Sequence, residues 1–245
     1  MAIEQTPQNS GKTPTISEVL PRIETSFQQT SLGKDRWYVV ALAAIAGSTD
    51  PLLAKELYLY LISKPEFSTP DQRRALVRRL REVLVMSISI VGVCKPIEAI
   101  LAINECEREE DKDHSATREG WQCDGDNLKR GMGWMEKVYT RNTENTMWLF
   151  RDHKDFEWIS RNITYGLYLS DRQVLDDVDT EMVVLSGIMI QNLGKETHWH
   201  IRGTRRIGVA KGDVQVVCDA VRMIAGLLGI ALDRVPEVED VESDV

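Results

Sequence analysis

Two of the four histidines in the sequence lie in the segment GKETHWHIRG, residues 194–203, where His198 and His200 flank Trp199. An imidazole can bind a metal ion or transfer a proton near neutral pH. Residues two apart on an α-helix point about 200° away from each other, so these two imidazoles cannot bind one metal ion from a single helix. We therefore predict no metal site here, and each histidine is interpreted with its own neighbours.

His198 shares a helix face with two arginines. Arg202 and Arg205 follow it at positions that are one and two turns further along the helix. Long basic side chains with this spacing are typical of a helix face in contact with water. We therefore expect His198 to be a surface residue within a solvated basic face.

His200 shares its face with a different set of residues. Glu196 precedes it by about one turn, and the small residues Gly203 and Thr204 follow it. Small side chains leave room beside the imidazole for either another helix or a bound ligand. Both interpretations remain open from the sequence.

A carboxylate that could act with His200 lies in the preceding helix. Glu181 is near the start of that helix, on a face that continues through Leu185 and Ile188 toward the core. A carboxyl group beside apolar surface and within reach of an imidazole suits proton transfer, because burial raises its pKa and the imidazole can share its proton. The residues alone also allow a structural explanation, in which Glu181 stabilises the helix dipole and His200 is a hydrogen-bonded core residue.

Three helices must position these two side chains. The first is predicted to run from Asp179 as N-cap to Gly194 at the C′ position. The second is predicted over 195–207, ending at Gly208, and the third begins at about Gly212. Because short links make neighbouring helices antiparallel, a residue at the start of the first can face the middle of the second.

The first half of the sequence has the same helical character. Thr69 is predicted to cap a long helix, with Pro70 at the first position, Gln72 completing a capping box and Gly92 ending the helix. Apolar residues recur with the helical period on both sides of the charged segment 105–127, and no alternating strand pattern is present. We therefore predict an all-α fold.

A weak internal repeat suggests a duplicated helical unit. REVLVMSISIVG in the first half and DAVRMIAGLLG in the second are both long apolar helices that end in glycine. Two unrelated buried helices can also look this similar, so the repeat stays a hypothesis. The predicted organisation is a flexible tail and first helix (1–30), a degenerate first repeat (31–104), a charged linker (105–126), a second repeat (127–235) and a loose acidic tail (236–245).

Composition limits the partners. The net charge of −8 and the pI near 5.2 argue against binding nucleic acid or anionic lipid. No apolar run reaches about 18 residues, the length needed to span a bilayer. We therefore expect a small-molecule partner and no membrane partner. The four cysteines form neither a C-x-x-C nor a zinc pattern, which is typical of a reducing compartment. Without the pattern of a signal or transit peptide at the start, the expected location is the cytoplasm.

The segment EMVVLSGIMIQNLGKETHWHIRGTRRIGVAKGDV, residues 181–214, resembles the carboxymuconolactone decarboxylase and alkylhydroperoxidase D superfamily. The features that carry the resemblance are Glu181, an apolar helix, His200 at a separation of 19 positions, and the upstream pair Tyr165 and Gly166. The resemblance implies an all-α fold built from an antiparallel helical unit in two copies. It also implies a homo-oligomer and a catalytic role for Glu181 and His200.

The departures from this family restrict the chemistry. Members that act as peroxidases carry C-x-x-C between the glutamate and the histidine, and those positions are Leu193 and Glu196 here. Without a thiolate pair there is no nucleophile for a peroxide, so we do not expect peroxidase activity. The first copy has no histidine, and Ala210 replaces the family's usual threonine cap, at a cost of about 1 kcal/mol of helix stability.

These observations lead to a functional expectation. We expect a lyase or isomerase without cofactor or metal that acts on a small cyclic or polyketide-type metabolite, with His200 as general acid/base and Glu181 orienting it. Tyr165, Glu196 and Thr204 are expected to contact the substrate. The alternative is a non-catalytic helical scaffold or ligand-binding protein that retains the family fold. A cavity of about 300 Å³ beside Glu181 and His200 would favour the enzyme, and a packed interior would favour the alternative.

Overall fold

The computed structural model describes residues 14–245, and these residues form helices and connecting loops without any strand. The predicted all-α fold is therefore confirmed. None of the helices within 14–245 combines the length and the apolar character needed to cross a lipid bilayer. The α-helices are α1 (Ile16–Phe27), α2 (Trp37–Gly47), α3 (Ala54–Ile62), α4 (Pro70–Val91), α5 (Cys94–Asn104), α6 (Gly125–Tyr139), α7 (Thr143–Trp148), α8 (Lys154–Trp158), α9 (Asp177–Met189), α10 (Gly194–Arg206), α11 (Lys211–Leu228) and α12 (Val238–Val241).

Helix α2 forms the centre of the molecule. Its sequence, WYVVALAAIAG, is apolar on every side, and all 11 of its residues are buried. A helix without a polar face must be surrounded by other helices, and α2 packs against α4, α9 and α11. The two halves of the sequence therefore contribute to one continuous core, and the duplicated unit remains a prediction.

The charged segment between the halves is bound to α4. Asp111 is fully buried, and its carboxylate accepts a hydrogen bond of 2.6 Å from Nε of Arg73. Arg118 forms an ion pair with Glu82, and it also donates to the carbonyl of Leu167 at 2.8 Å. These charged side chains hold the connection against the helical core.

The ends of α9 differ from the prediction. The N-cap is Asp176 instead of Asp179, because Asp176 accepts from the backbone N–H of Asp179 at 2.8 Å and forms a capping box with it. The helix ends at Met189 instead of continuing to Gly194. Gly194 is instead the first residue of α10. A Cβ on this residue would clash with the carbonyl oxygen of Arg234, so the close approach of the two backbones requires glycine. The periodicity of the sequence does not reveal this contact, since it comes from the distant end of the chain.

Other predicted helix ends agree with the structure. Thr69 and Gln72 form the capping box of α4, and Gly92 follows its last residue with φ 86°. Gly208 follows α10 with φ 100°, and Ala210 is the N-cap of α11 without a side-chain hydrogen bond.

The acidic end of the sequence is not a loose tail, which corrects our expectation. Val238 and Val241 of α12 are buried, and α12 packs against α10 and α11. We call 236–245 the C-terminal segment. The expected flexible start of the chain, as far as residue 13, lies outside the described residues, and α1 begins at Ile16 with Thr15 as its cap.

Candidate functional site

Glu181 and His200 lie in contact where α9 packs against α10. Nδ1 of His200 is 3.0 Å from Oε2 of Glu181. His200 is 4% exposed to solvent, and Glu181 is fully buried. At Gly203, a Cβ would lie 2.5 Å from Cγ1 of Val138 in α6 and 3.6 Å from Oε2 of Glu181. The space beside the imidazole is therefore filled by another helix, which decides between the two possibilities that the sequence left open.

The contacts of His200 continue through two tyrosines. Nε2 of His200 is 3.4 Å from the hydroxyl of Tyr139, and that hydroxyl is 2.7 Å from the hydroxyl of Tyr165. We call these four residues, Glu181, His200, Tyr139 and Tyr165, the Glu–His–Tyr–Tyr network. Tyr139 was not expected from the sequence, because it is the last residue of α6 and nothing in its local pattern separates it from a core tyrosine.

The two phenols stay protonated at neutral pH. Burial raises the pKa of the Tyr139 hydroxyl well above its ordinary value of 10.0, and the hydrogen bond from Tyr165 opposes this rise only in part. Burial also raises the pKa of Tyr165 well above 10.0. Each tyrosine can therefore donate a hydrogen bond within the network.

The network has a defined direction when Glu181 is ionised. A carboxylate only accepts hydrogen bonds, so Nδ1 of His200 carries the proton and donates to Glu181. Nε2 is then an acceptor for Tyr139, and Tyr139 accepts in turn from Tyr165. This assignment of the imidazole proton follows from the hydrogen-bond partners. A proton received by Tyr165 could move through Tyr139 to His200, where Glu181 would stabilise the imidazolium.

One oxygen of the buried carboxylate has no hydrogen-bond partner among the described residues. This atom is Oε1 of Glu181. Buried polar atoms in folded proteins are normally paired, and an unpaired one opposes folding.

The backbone around Tyr139 is held in an unusual conformation. Thr140, the next residue, has φ 46° and ψ −121°, a combination that is unfavourable for a β-branched side chain. Its carbonyl accepts from the hydroxyl of Thr143 at 2.8 Å, and the carbonyl of Tyr139 accepts from Arg206 at 2.7 Å. Such strain persists only where surrounding contacts impose it, and it is enriched at functional sites.

The other residues predicted for the site have different positions. Thr204 is fully buried, and its hydroxyl donates to the carbonyl of His200 at 2.6 Å, so the hydroxyl already has a partner. Glu196 is half-buried in the first turn of α10, and its charge contributes to raising the pKa of Tyr139. Tyr165 joins the network directly, as described above.

His198 lies on the opposite face of α10. We expected this face to be solvated, but the C-terminal segment partly covers it. Nε2 of His198 is 2.7 Å from Oδ2 of Asp244, and Nε of Arg205 is 2.6 Å from Oε1 of Glu242. Arg202, expected in water, is only 7% exposed. The basic face is the docking surface for the acidic C-terminal segment. The sequence contains both charged groups but does not indicate that they meet.

A cavity of about 530 Å³ lies beside Thr140, the residue after Tyr139, although neither tyrosine lines it. Met132 and Glu136 line it and precede Tyr139 on the same face of α6, while Arg161 lines it about one turn before Tyr165. We call it the tyrosine-side cavity. Its lining residues are Met132, Glu136, Thr140, Arg141, Thr143, Glu144, Met147 and Arg161. Neither Glu181 nor His200 lines this cavity or any of four other cavities in the described part of the chain.

Within residues 14–245, no group of three or more histidine, cysteine, aspartate or glutamate side chains is arranged to hold a metal ion.

The fold and the site together define an all-α protein with a buried carboxylate–imidazole pair that is extended by two phenols. The chain is similar to Peroxisomal protein 2 of Schizosaccharomyces pombe (strain 972 / ATCC 24843), with 23% identity over 178 residues, which is 66% of this chain and 83% of that protein. No protein-family profile matches the sequence, and no solved structure matches it.

Proposed function

We propose that this protein is a cofactor-free lyase or isomerase of the carboxymuconolactone decarboxylase-like kind, in which the Glu–His–Tyr–Tyr network transfers a proton to or from a small cyclic or polyketide-type metabolite. The observation that carries the proposal is the continuous set of contacts from buried Glu181 to Tyr165. The resemblance of residues 181–214 to that family suggests the reaction class.

The chemistry needs only proton transfer. In a double-bond shift, Tyr165 accepts a proton from a carbon next to a conjugated carbonyl while its own proton passes to Tyr139 and that of Tyr139 passes to His200. The electrons of the broken C–H bond move into the carbonyl as an enolate, and the imidazolium is stabilised by Glu181. Return of the proton to another carbon completes the isomerisation. In a decarboxylation, the C–C bond supplies these electrons and CO₂ leaves. Tyr165 delivers its proton to the carbon, and a proton from solvent restores the hydroxyl of Tyr165.

The tyrosine-side cavity is the proposed substrate site. Two arginines and two glutamates line it, so its wall carries both signs of charge. Thr140 lies beside Tyr139 at this wall. The hydroxyls of Tyr139 and Tyr165 are themselves buried, at 4% and 7% exposure of the residues. A substrate therefore reaches them only when the wall of the cavity opens. Met132 and Met147, which are flexible side chains, form part of this wall.

A second candidate is the non-catalytic scaffold or ligand-binding protein. It is favoured by the packed surroundings of Glu181 and His200, which line none of the cavities described above. In that case the four residues hold the helices together and no turnover depends on them.

Turnover in D₂O separates the two candidates. The full chain is incubated with a panel of β-keto acids and unsaturated lactones, and ¹H NMR follows loss of signal beside the carbonyl, which reports deuterium exchange, isomerisation or decarboxylation. We expect His200→Ala, Glu181→Gln and Tyr165→Phe each to lower the rate by about 10²- to 10⁴-fold, while the matched His198→Ala stays at the wild-type rate. Wild-type rates in the Tyr165 and His200 variants would eliminate the proposed relay.

Two further expectations accompany this proposal. Homo-oligomerisation, which the family resemblance implies, is checked by light scattering of the purified chain. The cytoplasmic location expected from the sequence competes with the peroxisome, which appears in the name of the fission-yeast relative. A fluorescent fusion of the full chain, imaged in yeast with a peroxisomal marker, distinguishes these two compartments.

A further inference from the structure

A second cavity, of about 550 Å³, lies on the other side of α6. Four of its lining residues are cationic and two are acidic, although the whole chain has a net charge of −8. We call it the basic cavity. Its lining residues are Asp126, Lys129, Arg130, Gly133, Trp134, Lys137, Ser170, Arg172 and Asp177.

Two of the four cations are already paired with a carboxylate. Asp177 forms ion pairs with both Lys137 and Arg172. Burial alone would raise the pKa of the Asp177 carboxyl, but the hydrogen bonds from Lys137 and Arg172 outweigh it and lower the pKa, so this carboxylate is ionised at neutral pH. The single negative charge of Asp177 therefore compensates only one of these two positive charges.

The other two cations have no carboxylate partner among the described residues. Lys129 and Arg130 form no ion pair or hydrogen bond there, and Arg130 instead lies over the ring of Trp121 at 4.3 Å. Nε of Arg130 is buried without an acceptor. Unpaired positive charge at a concave surface attracts anions.

The wall of the basic cavity adds an unpaired donor. Trp134 is 3% exposed, and its indole N–H has no acceptor among the described residues. The guanidinium of Arg172 lies 4.4 Å from the centre of this ring. A buried donor without a partner is unfavourable, and an oxyanion in the cavity would supply an acceptor.

The basic cavity is separate from the Glu–His–Tyr–Tyr network. Lys137 and Tyr139 are two residues apart on α6, so they point about 200° away from each other. Arg130 and Gly133 share the side of Lys137. A molecule in this cavity therefore does not contact Tyr139.

We propose that the basic cavity binds a small organic anion with a flat apolar body, in which Lys129 and Arg130 pair with the anionic group and the indole N–H of Trp134 donates to it. Gly133 leaves room for the body, because a Cβ built there meets no atom within 4 Å. The volume is suitable for a metabolite-sized molecule. The ligand binds noncovalently, and the site does not depend on the proposed proton transfer.

Three probes test the ligand class by calorimetry with the full chain: 2-naphthoate, its neutral analogue 2-naphthalenemethanol, and inorganic phosphate. We expect 2-naphthoate to bind at least tenfold more tightly than either of the others. We also expect it to shift the indole ¹H–¹⁵N signal that is lost in Trp134→Phe. Equal binding of phosphate, or equal binding of the alcohol, would contradict the proposed class of ligand.

Variants locate the site. The double change Lys129→Ala and Arg130→Ala should weaken 2-naphthoate binding at least tenfold. The matched control is Arg151→Ala, because Arg151 lies over Trp148 at 4.9 Å outside the basic cavity. Gly133→Leu, which fills the cavity at an exposed helix position, should remove binding without unfolding the protein. Unchanged affinity in both the double variant and Gly133→Leu would overturn the proposal.

Discussion

The two faces of α10 each pair a histidine with a carboxylate, but in different surroundings. On one face, His200 contacts Glu181 at 3.0 Å in the buried core, and on the other, His198 contacts Asp244 at 2.7 Å near the surface. The shorter distance belongs to the more exposed pair. Water and salt screen the exposed pair, whereas the buried pair interacts in a medium of low dielectric constant and continues into two phenols. Distance alone therefore does not identify the pair that is suited to chemistry.

The largest expected difference between the two faces is in turnover. Under the proposed function, His200→Ala should lower the rate by about 10²- to 10⁴-fold, because it removes the group that receives the proton from Tyr139. His198→Ala should leave the rate unchanged. The measurement is the initial rate with whichever panel compound the wild type converts, together with circular dichroism to show that both variants are folded. Equal losses in the two variants would remove the functional distinction between the faces.

The next difference is in the free energy of unfolding. Glu181→Ala leaves a buried imidazole without its partner and creates a void, so we expect a loss of about 3 kcal/mol. Asp244→Ala removes the partner of an exposed pair and should change stability too little to resolve. Urea unfolding followed by circular dichroism compares the two variants. A larger loss for Asp244→Ala would mean that the C-terminal segment contributes more to stability than the buried pair.

A smaller effect is expected from replacing a glycine beside the site, compared with a glycine at the start of α11. Gly203→Ala places a Cβ 2.5 Å from a stiff valine, Val138, so α6 and α10 must separate at a cost of about 1–3 kcal/mol. The matched control is Gly212→Ala, where a Cβ meets no atom within 4 Å and the helix should become slightly more stable. Thermal unfolding of both variants tests this pair. Equal melting temperatures would show that α6 does not depend on close approach at Gly203.

The smallest effect is the pH dependence of the contact between the C-terminal segment and the His198 face of α10. The hydrogen bond from His198 lowers the pKa of Asp244 from 3.8, and the hydrogen bond from Arg205 lowers the pKa of Glu242 from 4.5. A lowered carboxyl pKa contributes stability above the ordinary value, and this contribution is lost as the pH falls through the folded-state value. We therefore expect the C-terminal segment to detach below about pH 4 while the core remains folded.

NMR signals of Val241 report this detachment during an acid titration. Asp244→Asn should shift the detachment to higher pH, and added salt should act in the same direction because the pairs are near the surface. Simultaneous loss of the segment and the core would show that the two regions do not differ in stability.

Much of the fold could be predicted from local patterns. The capping box at Thr69, the glycine after α4 and the all-helical character follow from residue types and periodicity within short windows. The position of Glu181 opposite His200 also followed, because short links force α9 and α10 to be antiparallel. The N-cap of α9 was predicted wrongly because Asp176 and Asp179 are equally good capping residues. Only the backbone conformation selects Asp176.

The sequence by itself determined the all-helical character, the pairing of Glu181 with His200 and the absence of a C-x-x-C between them. Only the tertiary structure decided that Tyr139 and Tyr165 extend this pair, that α6 fills the space at Gly203, and that an acidic segment covers the basic face of α10. The physical reason is the separation along the sequence of the residues that interact. Helix formation depends on neighbours within a few positions, whereas each of these contacts joins residues that are far apart in sequence and come together only when the helices pack.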